Sequence, residues 1–236
     1  MARTRGGTKE HVLRPAPAPV ARAEPAYEAE EIRAALLTLT RSSWDGQLAL
    51  LEMASAGVRD VDPESWPAAY FAHLAPHLLA TSMASREPRT VAGHRYAFRS
   101  DHTWELTTAE EHEGRARIAD LASVRGALSH DEGLGIVVAL GRRVGDVAAF
   151  RSWLDRFQRN EGAALLGQGR AGVATAPAAF RVTAIRTYYL RSSADLDAAL
   201  AEGWFVSHTM RRTETERGAA AAPLRLDLAA AGVREV

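Results

Sequence analysis

Apolar residues recur every three or four positions through residues 28–85, the spacing that places side chains on one face of an α-helix. The series consists of Ile32, Leu36, Leu39, Trp44, Leu48, Leu51, Trp66, Tyr70, Leu74 and Leu78. Gly57 is suited to ending one helix, and Asp62 followed by Pro63 to beginning the next. We therefore predict successive helices here, the last of them kinked or ended by Pro76.

The period of the pattern changes to two over residues 90–107, which is typical of β-strands. The alternating apolar or aromatic positions are His94, Tyr96, Phe98, Trp104 and Leu106. Residues 100–102 are polar, so we predict a β-hairpin with its turn there. Thr108 and Glu111 then have the spacing of a helix capping box, which predicts a helix from Thr108 to about Leu128.

The apolar run at residues 135–140 fits either a buried helix or a buried strand. A second capping-box pattern at residues 129–132 favours the helix. Asp146 has the position of an N-cap for a clearer helix, which Gly162 would end. Its apolar face would consist of Val147, Phe150, Leu154 and Phe157.

The C-terminal third of the chain begins with a stretch rich in Gly and Ala at residues 163–178, which we interpret as a linker. Residues 179–212 have the pattern of a small β-α-β unit, with a crossover just long enough for parallel pairing. Residues 213–236 form a tail or an added edge strand. The strand pattern there consists of Leu224, Leu226 and Leu228.

Together these patterns predict an α+β fold, with a mostly helical N-terminal part that includes one β-hairpin and a small C-terminal β-α-β unit. Residues 1–26 contain four prolines and few large apolar side chains, so we expect an extended arm. The predicted organisation is an arm at 1–26, a helical domain at 27–162 with its hairpin at about 90–107, a linker at 163–178, a β-α-β unit at 179–212 and the tail at 213–236.

Composition adds limits on function. The 236 residues carry 29 Lys and Arg against 29 Asp and Glu, and a net charge of zero weakens a dedicated nucleic-acid role. There is no cysteine, which excludes disulfides, thiolate zinc sites and a cysteine nucleophile. No apolar run suits a transmembrane helix or a secretory signal, so we expect a cytoplasmic protein without membrane partners. The abundance of Ala and Arg is typical of a GC-rich bacterial genome.

Residues 44–121 combine helices, a hairpin with an arginine-rich rim, and Trp104-Glu105-Leu106-Thr107 leading into a helix. This order resembles the winged-helix arrangement of bacterial regulators. The resemblance implies DNA binding, with a helix in the major groove and the wing on the backbone or minor groove. The wing arginines would be Arg86, Arg89, Arg95 and Arg99.

Candidate catalytic and cofactor motifs lack their usual context. Residues 167–172 match G-x-G-x-x-G, but no strand precedes them. His73 and His77 have the spacing of a metal pair without a third local ligand. Ser207 and His208 would point to opposite faces of a strand. A looser population of acid–base residues comprises His94, Asp101, His102, Glu110, Glu111, His112, Glu113, His130, Asp131 and Glu132. We assign no catalytic residue, cofactor or metal from these patterns.

The leading hypothesis is a non-catalytic assembly or adaptor subunit of a larger cytosolic complex. A winged-helix DNA-associated protein is the alternative, and an enzyme using the His/carboxylate population is the third. The expected partners are other protein subunits, with DNA or a second copy of the chain also open. Candidate interface residues are Val12 and Leu13 on the arm, together with Phe71 and Tyr189 as outward aromatic side chains.

Overall fold

A computed structural model describes residues 24–86, 90–91, 94–130, 133–160, 162–166, 175–207 and 223–231. The strands are β1 (Ser43–Asp45), β2 (Thr90–Val91), β3 (His94–Arg95), β4 (Phe98–Arg99), β5 (Thr103–Glu110), β6 (Arg115–Asp120), β7 (Leu134–Val144), β8 (Ala179–Leu190), β9 (Phe205–Ser207) and β10 (Pro223–Asp227). Within these residues, eight strands form one mixed sheet in the order β1-β8-β7-β5-β6-β10-β9, and β4 pairs with the start of β5. β5 and β7 run parallel, whereas the other neighbours are antiparallel. β2 and β3 form a separate two-stranded ladder.

Helices cover both faces of this sheet. They are α1 (Pro25–Leu36), α2 (Gly46–Ser55), α3 (Trp66–Leu79), α4 (Leu121–His130), α5 (Val147–Arg159), α6 (Ala163–Leu166), α7 (Ser193–Ala201) and α8 (Leu228–Ala231). Residues of α1, α2, α3, α5 and α6 share one apolar core, and residues of α4, α7 and α8 share the other. Val137 and Ala139 of β7 belong to the first core and Ile136 and Val138 to the second, because successive side chains of a strand point to opposite faces.

Local start and stop signals agree with the predictions. The side chain of Asp146 accepts hydrogen bonds from the backbone N–H groups of Ala148 (2.9 Å) and Ala149 (3.1 Å) and so caps α5. Asp62 caps the turn that leads into α3, and Gly57 follows α2 with a φ of 76°. α7 is capped by Ser192, whose hydroxyl oxygen accepts a hydrogen bond from the N–H of Asp195 (3.2 Å).

The predicted arrangement of the elements is wrong, although the protein is α+β. A mostly helical winged-helix part with one hairpin is replaced by the large mixed sheet. The predicted wing corresponds to β4 and the first residues of β5, and β5 continues into the centre of the sheet beside β7. The strand therefore contributes to the core instead of projecting as a wing.

The helix predicted from Thr108 to Leu128 is also wrong. Its first part is strand, because β5 continues to Glu110 and turns at Gly114 (φ 61°) into β6. In β6, Arg115 and Arg117 are exposed while Ala116 and Ile118 are buried, which is the period of a strand. Only α4 is helical, and it begins after Asp120, whose carboxylate accepts a hydrogen bond from the N–H of Ser123 (3.0 Å).

The run at residues 135–140, for which the sequence favours a helix, is the central strand β7. It lacks alternation because both of its faces are buried. Ser129, which suggested a new cap, lies in the last turns of α4 and donates a hydrogen bond to the carbonyl oxygen of Arg125 (2.8 Å).

The C-terminal β-α-β unit is wrong as well. β8 lies between β1 and β7, while β9 pairs with β10 at the far side of the sheet, so the two strands of the predicted unit are not neighbours. The strand expected over Leu224, Leu226 and Leu228 is present as β10, but it lies between β6 and β9 and not at an edge, and Leu228 begins α8. No helix in the described part of the chain has the length and hydropathy needed to cross a bilayer.

Candidate functional site

A groove with a volume of about 1480 Å³ separates helix α3 from strand β6. The loop after α2 and one side of α3 form the first wall, β5 forms the floor, and β6 with Arg225 of β10 forms the second wall. The residues that line the groove come from sheet, helix and loop.

A fork in the sheet creates this groove. β6 pairs with β5 only next to their connecting turn, at Ala109 with Ala116 and Glu110 with Arg115. Beyond that point β6 continues along β10, and its link to β5 is a hydrogen bond from the Thr107 hydroxyl to the carbonyl oxygen of Arg117 (2.7 Å). A side chain thus replaces the backbone ladder where the strands diverge.

Two arginines on the second wall face each other across an antiparallel pair. Arg117 of β6 and Arg225 of β10 are Cα partners, and both are exposed. Like charges directly opposite one another destabilise a sheet, so an anionic group bound between them would relieve the repulsion. We call Arg117 and Arg225 the arginine wall.

The opposite wall carries carboxylates. Asp60, Asp62 and Glu64 are exposed and line the groove, and we call them the acidic wall. Asp60 has a φ of 58°, a left-handed conformation that Asp tolerates better than most residues. Asp62 accepts a hydrogen bond from the N–H of Glu64 (3.2 Å), which holds the loop at the start of α3. Arg59 of the same loop and Asp120 of β6 also line the groove, so the first wall is predominantly acidic and the second predominantly basic.

A second polar cluster lies away from the groove, buried between α1 and the start of β5. The carboxylate of Glu28 accepts hydrogen bonds from the Ser100 hydroxyl and from Trp104 Nε1–H (3.0 Å), and it contacts His102 Nδ1 at 2.5 Å. Glu28 is 1% exposed and His102 is 6% exposed. The edge of the His102 ring meets Tyr189 at a centroid distance of 5.3 Å.

This arrangement differs from a serine-hydrolase triad. In a triad the imidazole lies between the serine and the carboxylate, so that it can take the serine proton. Here the carboxylate lies between Ser100 and His102: it accepts a hydrogen bond from the Ser100 hydroxyl and contacts Nδ1 of His102. The cluster ties α1 to the sheet, and we call it the Glu28 clasp.

Of the four predicted wing arginines, the structure describes the side chains of Arg86 and Arg99, which are neighbours because the N–H of Arg86 donates a hydrogen bond to the carbonyl oxygen of Arg99 (2.8 Å). Arg86 is exposed and pairs with Asp101 (3.2 Å), whereas Arg99 is half-buried on β4. Arg89 and the side chain of Arg95 lie outside the described residues.

The predicted interface residues have different surroundings. Phe71 is fully buried and stacks on Trp44, with ring centroids 5.9 Å apart, so its ring faces the core. Tyr189 is half-buried against His102 and Trp104. Val12 and Leu13 lie outside the described residues, as do residues 167–172, the serine side chain at 207 and His208.

The predicted histidine population is spread over the fold. His102 precedes β5 and His112 follows it, so the eight residues of that strand, roughly 26 Å, separate them. His130 is exposed at the end of α4, and the side chain of His94 is not among those described. His73 lies 3.7 Å from Glu52, and its ring meets His77 edge-on at 5.6 Å.

Sequence reasoning missed Glu28, Arg117 and Arg225 as site residues. The alternation of exposed and buried positions from Arg115 to Ile118 was the available signal for the arginine wall. No protein-family model, curated protein or solved structure matches this chain.

Proposed function

We propose that this protein is an assembly or adaptor subunit that binds an extended segment of a partner protein in the groove between α3 and β6. The observation that supports this role is the size of the groove together with its oppositely charged walls. Small-molecule sites typically have volumes of about 300–1,000 Å³, and this groove is larger, at about 1480 Å³.

The charges indicate the chemistry of the partner segment. In an extended chain, successive side chains point to opposite sides. A segment that alternates acidic and basic residues would present carboxylates to Arg117 and Arg225 and cations to Asp60 and Asp62. Arginine can bind a carboxylate through two parallel N–H donors, a geometry that lysine does not offer, so the arginine wall suits carboxylates of the partner.

The helix side of the groove leaves space for a backbone. Ala68, Ala69 and Ala72 line it from α3, and all three are half-buried. Their small side chains let a bound chain approach the helix closely. The partner would then contact apolar methyl groups on the helix wall and charged side chains at both rims, an arrangement common in protein interfaces.

A labelled peptide of alternating Glu and Lys tests this role in fluorescence anisotropy with the full chain. A peptide of the same composition, with all Glu preceding all Lys, is the matched probe. We expect the alternating peptide to bind more tightly than the block peptide, and Arg117→Glu to weaken its binding about tenfold. Arg156→Glu, an exposed arginine of α5 outside the groove, is the matched control and should leave binding unchanged.

Equal binding of the two peptides, equal effects of the two arginine variants, or no binding at all would contradict the proposal. Arg117-dependent binding of duplex DNA in place of the peptide would assign the groove to nucleic acid and also overturn it. The cytoplasm as the compartment of this assembly and self-association of the chain remain predictions. Light scattering of the purified protein tests the latter.

A further inference from the structure

The turn between β5 and β6 brings three metal-ligating side chains together within four residues. Its backbone is fixed by hydrogen bonds from the N–H groups of Glu113 and Gly114 to the carbonyl oxygen of Glu110, both 3.1 Å. Gly114 adopts a φ of 61°, which lets the chain reverse. Glu110, His112 and Glu113 each offer a ligand atom, and these atoms all lie within 4.8 Å of one another.

One separation already matches that of two ligands on a single ion. Nδ1 of His112 lies 3.4 Å from Oε2 of Glu110. Two ligands at about 2.0–2.2 Å from a tetrahedral Zn²⁺ are about 3.4 Å apart. The imidazole and the carboxylate therefore need little movement to share an ion.

Glu110 is prepared for this role by its surroundings. It is only 8% exposed, and its other oxygen, Oε1, pairs with Nε of Arg143. A group that holds one carboxylate oxygen fixes the direction of the other, as the outer partners of metal ligands do. Oε2 is thus directed towards His112. The neighbouring Glu111 points elsewhere and pairs with Arg142 (2.5 Å).

We propose that the β5–β6 turn binds one Zn²⁺ ion through Glu110, His112 and Glu113, with water at the remaining position. Imidazole nitrogen with carboxylate oxygens suits Zn²⁺ and related transition metals, whereas Mg²⁺ and Ca²⁺ take oxygen ligands. The side chain of His112 is 73% exposed, so the ion reaches it directly from solvent. The proposal does not rest on peptide binding, and Glu110 and Glu113 also line one end of the groove.

Calorimetric titration of the full chain with Zn²⁺ tests the proposal, and Co²⁺ absorption reports the ligand geometry. We expect one bound ion per chain and a tetrahedral Co²⁺ spectrum. His112→Ala and Glu113→Gln should each weaken Zn²⁺ binding at least about tenfold. His77→Ala, in the separate His73/His77 pair of α3, is the matched control and should not change it.

Circular dichroism of the turn variants checks that each remains folded. Zn²⁺ binding that survives in His112→Ala, or that is lost in His77→Ala, would overturn the proposal, as would the absence of binding. Arg117→Glu should retain the ion, so failure of the peptide experiment and failure of the metal site are distinguishable.

Discussion

At the scale of single residues, the Glu28 clasp is the feature whose burial has the highest free-energy cost. A nearly inaccessible carboxylate is costly to bury unless donors surround it, and Ser100, His102 and Trp104 supply them. Ser100, His102 and Trp104 depend on Glu28 in turn, because they are buried as well and their polar side-chain atoms need a hydrogen-bond partner. Glu28 is therefore the centre of the polar contacts that, with the apolar face of α1, attach this helix to the sheet.

Replacing Glu28 by Ala should lower the free energy of unfolding by roughly 3–5 kcal/mol, because it leaves several buried donors unpaired. Urea denaturation measures this change. Glu30→Ala on the same helix is the matched control, since the Glu30 side chain is 71% exposed and pairs with the nearby Arg33. Its effect should be below about 0.5 kcal/mol. Similar losses for the two variants would show that the clasp contributes little.

Tyr70 gives a residue-scale prediction for alkaline pH. Burial, followed by its hydrogen bond to Glu52 (2.8 Å) and the charge of that carboxylate, raises the pKa of Tyr70 from 10.0 to about 12. The folded state then keeps a proton that the unfolded state releases, so this tyrosine makes stability fall as the pH rises from about 10 to about 12.

Phenolate absorbance, compared between the wild type and Tyr70→Phe, isolates this ionisation. In Glu52→Gln the transition should move towards lower pH without reaching the ordinary value, because burial, the larger cause, remains. A Tyr70 transition that is unchanged in Glu52→Gln would exclude the carboxylate as a cause.

At the scale of elements, the sequence correctly predicts those helix ends that depend on a few neighbouring residues. The caps at Asp62 and Asp146 and the glycine after α2 are correct because each depends on adjacent backbone groups. The capping-box patterns at residues 108–111 and 129–132 fail because the surrounding segments are decided by distant partners. β5 and β7 are strands since they pair with each other, and β7 pairs with β8 on its other side.

The candidate sites bring together residues that are far apart in the sequence, and a pattern of neighbouring residues does not reveal such contacts. Glu28 and His102 are 74 residues apart in sequence, and Arg117 meets Arg225 only through the pairing of β6 with β10. The turn residues Glu110, His112 and Glu113 are different, because they are close in sequence. Their residue types were visible, but the predicted helix would have placed them around a helical turn instead of a β-turn.

At the scale of the whole molecule, the strands of the sheet differ in how far they are shielded from solvent. β7 has strands on both sides and helices over both faces, and residues 136–139 are fully buried. β9 has three residues and lies at the end of the strand order, and Val206 is 37% exposed. Opening of β9 therefore exposes far less apolar surface than opening of β7.

Native-state hydrogen exchange should resolve this difference. We expect the amides of Ile136 to Ala139 to exchange only through global unfolding, so that their protection follows overall stability in mild denaturant. The amides of Phe205 and Val206 should exchange through local opening, with little dependence on denaturant. Equal protection at the two places would mean that the sheet opens as one unit.

The position of β10 has a consequence for how the protein is made. This strand separates β6 from β9, yet it is synthesised after both of them. While residues 223–227 are still being translated, β6 can pair only with the end of β5, and β9 has no strand partner among the described residues. The β5-β7-β8 centre consists of strands made before β10, whereas this side of the sheet closes only once β10 pairs with β6 and β9. During that interval the edges of β6 and β9 are open to other chains, and a chaperone that shields strand edges would act at this stage.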